Sequence, residues 1–344
     1  MQPKPRIVFI APFLRCPDCA SSSKLVLKPL QVAMRRCLST SARLLSHENP
    51  LGLPRRQQPS GAPPTLRGAQ RGLPPKRRIA HVEHVIAVSS AKGGVGKSTL
   101  AVNLALAFSR HNLRTGILDT DIFGPSIPTL LSLANASEPE VTNKGSLVPL
   151  QSHGLKSMSM GYLLPSEAAP VAWRGAMVQK ALHQLLHEVD WSPKLDVLVL
   201  DLPPGTGDVQ LTIGQQIELA GAVVVTTPQD IALKDAVKGI GMFNQMKIRV
   251  LGLVQNMSVF VCPKCGEETH IFAHDDAGSR AQSKAVEMDV DFLGDIPLDA
   301  KICRDADSGR PTIVAEEASG QLVNTPYYDS IAAKVAGKIG LTWA

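Results

Sequence analysis

The sequence lacks any long apolar run. None of its segments reaches the ~18 consecutive apolar residues that a membrane-spanning helix needs, so we do not expect an integral membrane protein. It is equally unlike chains of low hydrophobicity, because 44% of its 344 residues are hydrophobic and 19% are charged. These values exclude a wholly disordered or collagen-like chain. The length is sufficient for one large domain or two small ones.

Acidic residues are almost missing from the first 80 positions, which hold 15 Lys and Arg but only Asp18 and Glu48. The formal net charge of +6 therefore comes from this segment, since acids outnumber bases in the remainder. A basic protein often binds nucleic acid. Here the positive charge lies outside the expected folded domain, and we predict no nucleic-acid partner.

The N-terminal segment has the composition of an import sequence. Residues 1–48 are rich in Arg, Lys and Ser and are repeatedly interrupted by Pro, which predicts a mitochondrial targeting segment with cleavage near Leu38. A basic tail that stays in the cytosol is the alternative, because the apolar run IVFIAPFL is unusual in a presequence. Residues 49–78 are rich in Pro and Arg and predict a disordered linker, so a single folded domain is expected over 79–344.

Short apolar runs rich in Val, Ile and Leu follow from Ile79 onward, as in buried parallel strands. They predict strands at 84–90, 114–119, 195–201, 221–227, 249–255 and 290–295. Between them, apolar residues recur at helical spacing over 178–189. This alternation predicts an α/β fold, with a doubly wound, mainly parallel sheet covered by helices on both faces.

A glycine-rich segment stands between the first predicted strand and a helical run, which is the context of a phosphate-binding loop. It comprises Ala91, Lys92, Gly93, Gly94, Val95, Gly96, Lys97, Ser98 and Thr99. The glycines free backbone N–H groups to wrap phosphates at a helix N-terminus. Lys97 is expected to reach the β and γ phosphates, Ser98 to ligate Mg²⁺, and Thr99 to contact a phosphate oxygen.

The loop begins with Ala91 where Gly is usual, and a second lysine, Lys92, stands beside it. In this it resembles the deviant Walker A ATPases, whose extra lysine reaches the nucleotide of a partner subunit. That resemblance implies a homodimer with nucleotide between its subunits. A solvated loop lysine is the alternative for Lys92.

Carboxylates follow two further predicted strands, where ligands bind in open parallel sheets. Asp119 and Asp121 follow the second strand, and Asp201 precedes the sequence LPPGTGD. Asp201 is expected to hold Mg²⁺ from outside its direct ligands. Asp121 is the candidate for orienting the attacking water, with Asp119 supporting it. The alternative for each is a helix cap or a turn former.

A second chemical signal is the pair Cys262 and Cys265, two of six cysteines in the chain. Because the chain is not disulfide-rich, reduced thiols are expected. Two thiolates supply only half of the ligands that zinc or an iron–sulfur cluster needs. Three completions are open: a zinc site with His270 and His274, a second pair from Cys16 and Cys19, or the same pair from a second copy of the chain.

Taken together, the motifs from Val82 to Pro311 resemble the Mrp family of iron–sulfur cluster carrier ATPases. They are KGGVGKS, DIFGPS, WRG, DLPPGTGD, TPQD, QNMS, CPKC and GDIP. The resemblance implies ATP and Mg²⁺ as cofactors and a labile 4Fe–4S cluster between two subunits, bound by Cys262 and Cys265 on a CxxC loop insertion. It also implies catalytic roles for Lys92, Asp121 and Asp201, a slow ATPase activity, and an Asn256 amide that reads the adenine edge, with a turn-forming Asn as the alternative.

The targeting segment makes the resemblance strongest to the mitochondrial branch of that family. Cytosolic relatives often carry a multi-cysteine N-terminal motif, which Cys16, Cys19 and Cys37 do not complete. This implies the mitochondrial matrix as location and apo iron–sulfur proteins as recipients, with subunits of respiratory complex I among them. Cys303 receives no role.

Two other function classes share the nucleotide motifs. One is a dimeric partitioning or positioning ATPase with a structural zinc site, which would leave the cysteines outside its main function. The other is an electron donor of the nitrogenase-reductase kind, whose cluster cysteines lie on separate elements. Here both cysteines are three residues apart, and this disfavours the electron donor.

Overall fold

A computed structural model describes residues 76–163, 175–262, 264–272 and 280–343. The predicted targeting segment, nearly all of the linker, and Cys16, Cys19, Cys37 and His274 lie outside these residues. Within them, no helix is long and apolar enough to cross a membrane. Contacts with the domain begin before the predicted start of the fold: the Lys76 Nζ donates to the Met246 carbonyl, and Arg77 bridges to Ile217.

The central element is an eight-stranded sheet in the order β10-β7-β6-β1-β5-β2-β4-β3. Its strands are β1 Val82–Ser89, β2 Thr115–Asp119, β3 Leu150–Ser152, β4 Leu155–Ser159, β5 Leu195–Asp201, β6 Gly221–Thr226, β7 Val250–Asn256 and β10 Phe292–Ile296. All neighbours are parallel except β3, which runs antiparallel to β4. The predicted mainly parallel α/β sheet is confirmed.

Nine α-helices are found in the described residues, with one short 3₁₀ helix, Met160–Leu163. They are α1 Lys97–Arg110, α2 Ile127–Leu130, α3 Gly175–His187, α4 Asp208–Gln216, α5 Asp230–Gln245, α6 Arg280–Glu287, α7 Ala300–Asp307, α8 Thr312–Ser319 and α9 Thr325–Ile339. A separate two-stranded hairpin pairs β8 Phe260–Val261 with β9 Glu268–Thr269.

Helices cover both faces of the sheet, as two separate clusters of buried side chains show. One cluster packs α3 to α6 on one face, with Leu182 and Phe243 fully buried. The other packs α1 and α7 to α9 on the opposite face, with Leu104 and Tyr328 fully buried. This two-sided burial explains why the strands read as continuous apolar runs in the sequence.

Each of the six predicted strands is present, with its ends shifted by no more than two residues. The sequence did not predict β3 at the edge of the sheet, its neighbour β4, or the β8–β9 hairpin. β3 and β4 carry polar residues such as Gln151 and Lys156 and lack a continuous apolar run. The helical prediction was wrong at Val189, which lies beyond the end of α3 and bridges to Leu147.

The strand order places the candidate site. After β1 the chain crosses over the position of β5 to form β2, whereas β6, β7 and β10 extend the sheet on the other side of β1. Such a change of direction opens a crevice at the carboxyl ends of the strands. Ser89, Asp119, Asp201 and Asn256 end β1, β2, β5 and β7, and therefore lie along one edge of the sheet.

Candidate functional site

The phosphate loop links β1 to α1 and is shaped by its glycines. Gly94 and Gly96 have φ values of 78° and 80°, in the left-handed region that glycine adopts without strain. A Cβ placed on Gly93 or Gly94 would meet nothing within 4 Å, so the loop surface there is open to a ligand. Gly96 caps α1 with no side-chain hydrogen bond, which leaves helix N–H groups for an anion.

Behind the loop lies a buried ion pair. The Lys97 Nζ is 2.5 Å from the Asp201 Oδ1 and 3.2 Å from the Ser98 Oγ. The side chains of Lys97 and Asp201 are only 7% and 0% exposed. The second carboxylate oxygen of Asp201 is buried and has no hydrogen-bond partner among the described residues. An orphaned carboxylate oxygen near a serine hydroxyl suits the shell of a hydrated Mg²⁺ ion, so these residues fit the predicted nucleotide and metal.

Asp119 is the most constrained carboxylate of the site. Its two oxygens accept hydrogen bonds from the Asp121 N–H at 3.0 Å, the Ser159 hydroxyl at 3.0 Å and the Ile127 N–H at 3.3 Å. Burial, together with the neighbouring negative charge of Asp201, raises the pKa of Asp119 to about 7. Asp119 therefore organises the loop after β2 and is held from β4 by Ser159, a residue that the sequence analysis did not select.

Asp121 is more accessible than Asp119, as an orienting group for water must be. Its Oδ1 accepts a hydrogen bond from the Gly124 N–H at 3.3 Å. Burial raises its pKa, whereas the charge of Lys97 acts in the opposite direction. Ser126, three residues beyond Phe123, brings its hydroxyl to 3.3 Å from that of Ser98. The loop after β2 thus contacts the phosphate loop directly.

The segment after β5 also rests on the phosphate loop. The Gly205 N–H donates to the Ser90 carbonyl at 2.9 Å, and the Gln210 amide donates to the Pro203 carbonyl at 2.5 Å. Beside it is a cavity of about 340 Å³ with a largely apolar lining that includes Phe123 and Val178.

Asn256 lies against the same loop. Its Nδ2 donates to the Val95 carbonyl at 2.9 Å. The amide donor is thus used on the loop backbone, and recognition of adenine by Asn256 stays a prediction. Lys92 is half-buried, and its carbonyl accepts a hydrogen bond from the Ser90 hydroxyl at 2.9 Å. Its reach into a partner subunit stays a prediction as well.

The two cysteines lie together at the end of the β8–β9 hairpin. The Cys262 N–H donates to the Glu267 carbonyl, and the Gly266 N–H donates to the Cys262 carbonyl, each at 2.9 Å. Gly266 turns the chain with a φ of 72°. Cys262 is half-buried and Cys265 is exposed. Hydrogen bonds from the backbone N–H groups of Cys265 and Lys264 and from the Cys265 thiol lower the pKa of the Cys262 thiol. The hairpin therefore favours a thiolate, the form that binds metal.

The described residues offer this pair no third ligand. Nowhere in that part of the chain do three or more His, Cys, Asp or Glu side chains converge to hold a metal ion. The Nδ1 of His270 lies 3.3 Å from the Ser258 carbonyl, so this histidine is occupied at the base of the hairpin. His274, Cys16 and Cys19 lie outside the described residues. Among the described residues, the structure thus shows a pair of cysteines on a short hairpin that follows β7.

Comparison with known proteins gives this arrangement a context. Residues 81–336 match the family model ParA, described as NUBPL iron-transfer P-loop NTPase. The chain is 51% identical over 249 residues to the iron–sulfur cluster transfer protein NUBPL of Dictyostelium discoideum, covering 72% of this chain and 75% of the relative. It is 44% identical over 253 residues to an Arabidopsis thaliana protein described as an iron–sulfur protein required for NADH dehydrogenase, mitochondrial, covering 73% and 78%.

A solved structure supports the same fold. A nucleotide-binding protein from Archaeoglobus fulgidus, determined in complex with ADP, is 37% identical and superposes with a TM-score of 0.59. The match covers 68% of this chain and 89% of that protein. The sheet and phosphate loop described above are therefore shared with a protein that holds a nucleotide.

Proposed function

The chain belongs to the NUBPL iron-transfer P-loop NTPase family, and from this we propose that it is an ATP-dependent carrier of iron–sulfur clusters. Iron–sulfur transfer or carrier names recur among its relatives. Within the chain, the proposal is supported by a pair of cysteines on a hairpin that begins shortly after Asn256, a residue that contacts the phosphate loop. A nucleotide-binding fold alone does not require those thiols.

The observation that carries the proposal is the incomplete ligand set. Cys262 and Cys265 give two thiolates, and the described residues add no third ligand. A 4Fe–4S cluster is typically held by four. The pair from a second copy of the chain completes the set, so the cargo is a 4Fe–4S cluster held between two subunits. Because each subunit contributes only two ligands, the cluster is bound loosely enough to be passed on.

In this proposal, nucleotide binding and hydrolysis control whether the dimer retains or releases the cluster. Bound ATP and Mg²⁺ supply charge at the loop and a phosphoanhydride bond that can be hydrolysed. With ATP bound, Lys97 would leave Asp201 to contact the β and γ phosphates, and Ser98 with Asp201 would hold the Mg²⁺ ion. Asp121 orients the attacking water, and Lys92 reaches the nucleotide of the partner subunit. Hydrolysis is slow and biases the subunit geometry that retains or releases the cluster.

The recipients are apo iron–sulfur proteins, and subunits of respiratory complex I are among them. This part of the proposal is supported by the plant relative, whose name states a requirement for mitochondrial NADH dehydrogenase. The matching location is the mitochondrial matrix, reached through the basic segment 1–48. Imaging of that segment fused to a fluorescent reporter tests the location, and a reporter spread through the cytosol would contradict it.

Anaerobic purification followed by iron, sulfide and zinc analysis tests the carrier function. We expect about four iron and four sulfide per dimer in the wild type. Cys262→Ser and Cys265→Ser should each lose this cluster. Cys303→Ser should keep it, because this exposed thiol lies on α7, outside the hairpin.

The competing outcome is a zinc site within one chain. Stoichiometric zinc per monomer, lost in a His270→Ala/His274→Ala double variant, would overturn the proposal. Retention of iron and sulfide in that double variant supports it. Mass measurement in native conditions then shows whether the cluster travels with a dimer.

A further inference from the structure

One residue connects the phosphate loop with the start of the cysteine hairpin, which we define as residues 260–269. Asn256 ends β7, and Cys262 follows only six residues later. The Asn256 Nδ2 donates to the Val95 carbonyl at 2.9 Å. It is packed so closely on the loop that a Cβ added at Gly96 would lie 2.1 Å from it. A shift of the loop backbone at Val95 or Gly96 therefore acts directly on Asn256.

The residues that follow Asn256 and Met257 are hydrogen-bonded to the end of β10 and the residues after it. The Ser258 N–H and hydroxyl both donate to the Ile296 carbonyl, at 3.0 and 3.1 Å. The Leu298 N–H donates to the Val259 carbonyl at 2.7 Å. These bonds hold the residues before the hairpin in place. On the other side of Met257, the Asn256 side chain is held to the phosphate loop.

Met257 is the one residue between these two anchored points. Its φ of 57° puts the backbone in the left-handed region, which a residue with a long side chain rarely adopts. This conformation is uncommon for residues other than glycine and is energetically unfavourable for them. Strained residues of this kind often occur in switch regions, and this one lies between the nucleotide loop and the two thiols.

We propose that Asn256 and Met257 couple nucleotide binding at the phosphate loop to the position of Cys262 and Cys265. The inference rests on the proposed carrier function and assigns the Asn256 amide donor to the loop backbone. Phosphates wrapped by the loop reorient the Val95 carbonyl, and the Asn256 hydrogen bond transmits this change through the Met257 corner to the hairpin. Coupling is reciprocal, so cargo on the hairpin changes nucleotide affinity by the same factor.

The test measures the alkylation rates of Cys262 and Cys265 by iodoacetamide in cluster-free full-length protein, resolved by peptide mass spectrometry. Rates are compared with and without Mg²⁺ and a non-hydrolysable ATP analogue. In the wild type we expect the analogue to change both rates about fivefold or more. The rate at Cys303, which is exposed on α7, should stay constant.

Two variants remove the coupling in different ways. Asn256→Ala deletes the bond to the loop, and Met257→Gly replaces the strained corner with a residue that adopts positive φ freely. In both, the analogue should no longer change the alkylation rates. Met257→Gly should bind the analogue with wild-type affinity, because no loop contact is altered. Asn244→Ala, at an exposed asparagine on α5, is the matched control and should respond as the wild type does.

Three results would overturn the coupling. One is a wild type whose alkylation rates do not respond to the analogue, and another is a full response in Met257→Gly. The third is an Asn256→Ala protein that loses preference for ATP over GTP yet keeps the hairpin response, which would assign Asn256 to base recognition. Because iron and sulfide analysis needs no nucleotide, each of these results leaves the carrier function itself standing.

Discussion

Lys97 and Asp201 show how single residues can serve two states of one site. Each is a buried charge, and an unpaired buried charge is costly, so their contact satisfies both. Under the proposed function the same contact prepares both residues for exchange, Lys97 with phosphate and Asp201 with magnesium. The ion pair thus satisfies both buried charges in the nucleotide-free protein.

Replacing Lys97 tests this exchange. Lys97→Ala removes the cation for the β and γ phosphates and leaves Asp201 buried without its partner. We expect loss of ATP binding by calorimetry and a decrease of about 3 kcal/mol in the free energy of unfolding. Lys92→Ala should spare both quantities and impair only the hydrolysis that depends on the dimer. Equal loss of ATP affinity in the two variants would contradict the assignment of Lys92 to the opposite subunit.

Asp119 should make the stability of the nucleotide-free protein depend on pH. Its pKa of about 7 in the folded state lies above the ordinary value of 3.8, so the folded state binds the proton more tightly than the unfolded chain. The stabilisation is complete below pH ~4 and is lost as the pH rises toward ~7, by at most ~1.4 kcal/mol per unit.

Urea unfolding of wild type and Asp119→Asn between pH 4 and 7.5 checks this dependence. The variant has no titrating group at this position, so its unfolding free energy should fall less with pH than that of the wild type. A wild-type free energy that instead rises with pH relative to the variant would contradict the raised pKa.

At the scale of elements, the sequence predicts what is local and periodic. The six apolar strands and the phosphate loop could be identified because their signals lie within a few consecutive residues. The bond from Ser159 to Asp119 could not, since it depends on β4, a short strand with polar residues next to the edge strand β3. The contact of Asn256 with Val95 joins positions 161 residues apart, and only the order of β1, β6 and β7 brings them together.

The C-terminal helices depend on a buried carboxylate that the sequence did not point to. Glu316 on α8 is fully buried and accepts hydrogen bonds from the backbone of Val323, Asn324 and Thr325 and from the Thr325 hydroxyl. These bonds fix the start of α9, which packs on α1, the helix that follows the phosphate loop.

Glu316→Gln should therefore be strongly destabilising. An amide presents two donors where the carboxylate offers only acceptors, and we expect a loss of about 3 kcal/mol or more in the free energy of unfolding. The matched control is Glu317→Gln, which removes a half-exposed ion pair with Arg110 and should cost less than about 1 kcal/mol. Chemical denaturation of both variants measures these two losses in the free energy of unfolding. Equal losses would mean that Glu316 is not the anchor of α9.

At the scale of the whole molecule, the relative position of the phosphate loop and the cysteine hairpin bears on how two subunits can share a cluster. The phosphate loop and the start of the cysteine hairpin both follow strands that end at the same edge of the sheet. A two-fold axis brings each surface patch against its own counterpart. In the proposed dimer, one axis at this edge therefore serves both the reach of Lys92 to the partner's nucleotide and the sharing of one cluster between the two hairpins. It follows that cluster binding should be a property of the dimer and not of either subunit.

Mixed dimers test this directly. Wild-type subunits with one affinity tag are produced together with Cys262→Ser/Cys265→Ser subunits that carry another, and successive purification on both tags isolates dimers with one subunit of each kind. A shared cluster loses two of its four thiolates, so these dimers should retain almost no iron or sulfide. Dimers with two differently tagged wild-type subunits should retain the full content. If mixed dimers instead hold half of the wild-type iron, each subunit binds its own metal and the shared-cluster arrangement is wrong.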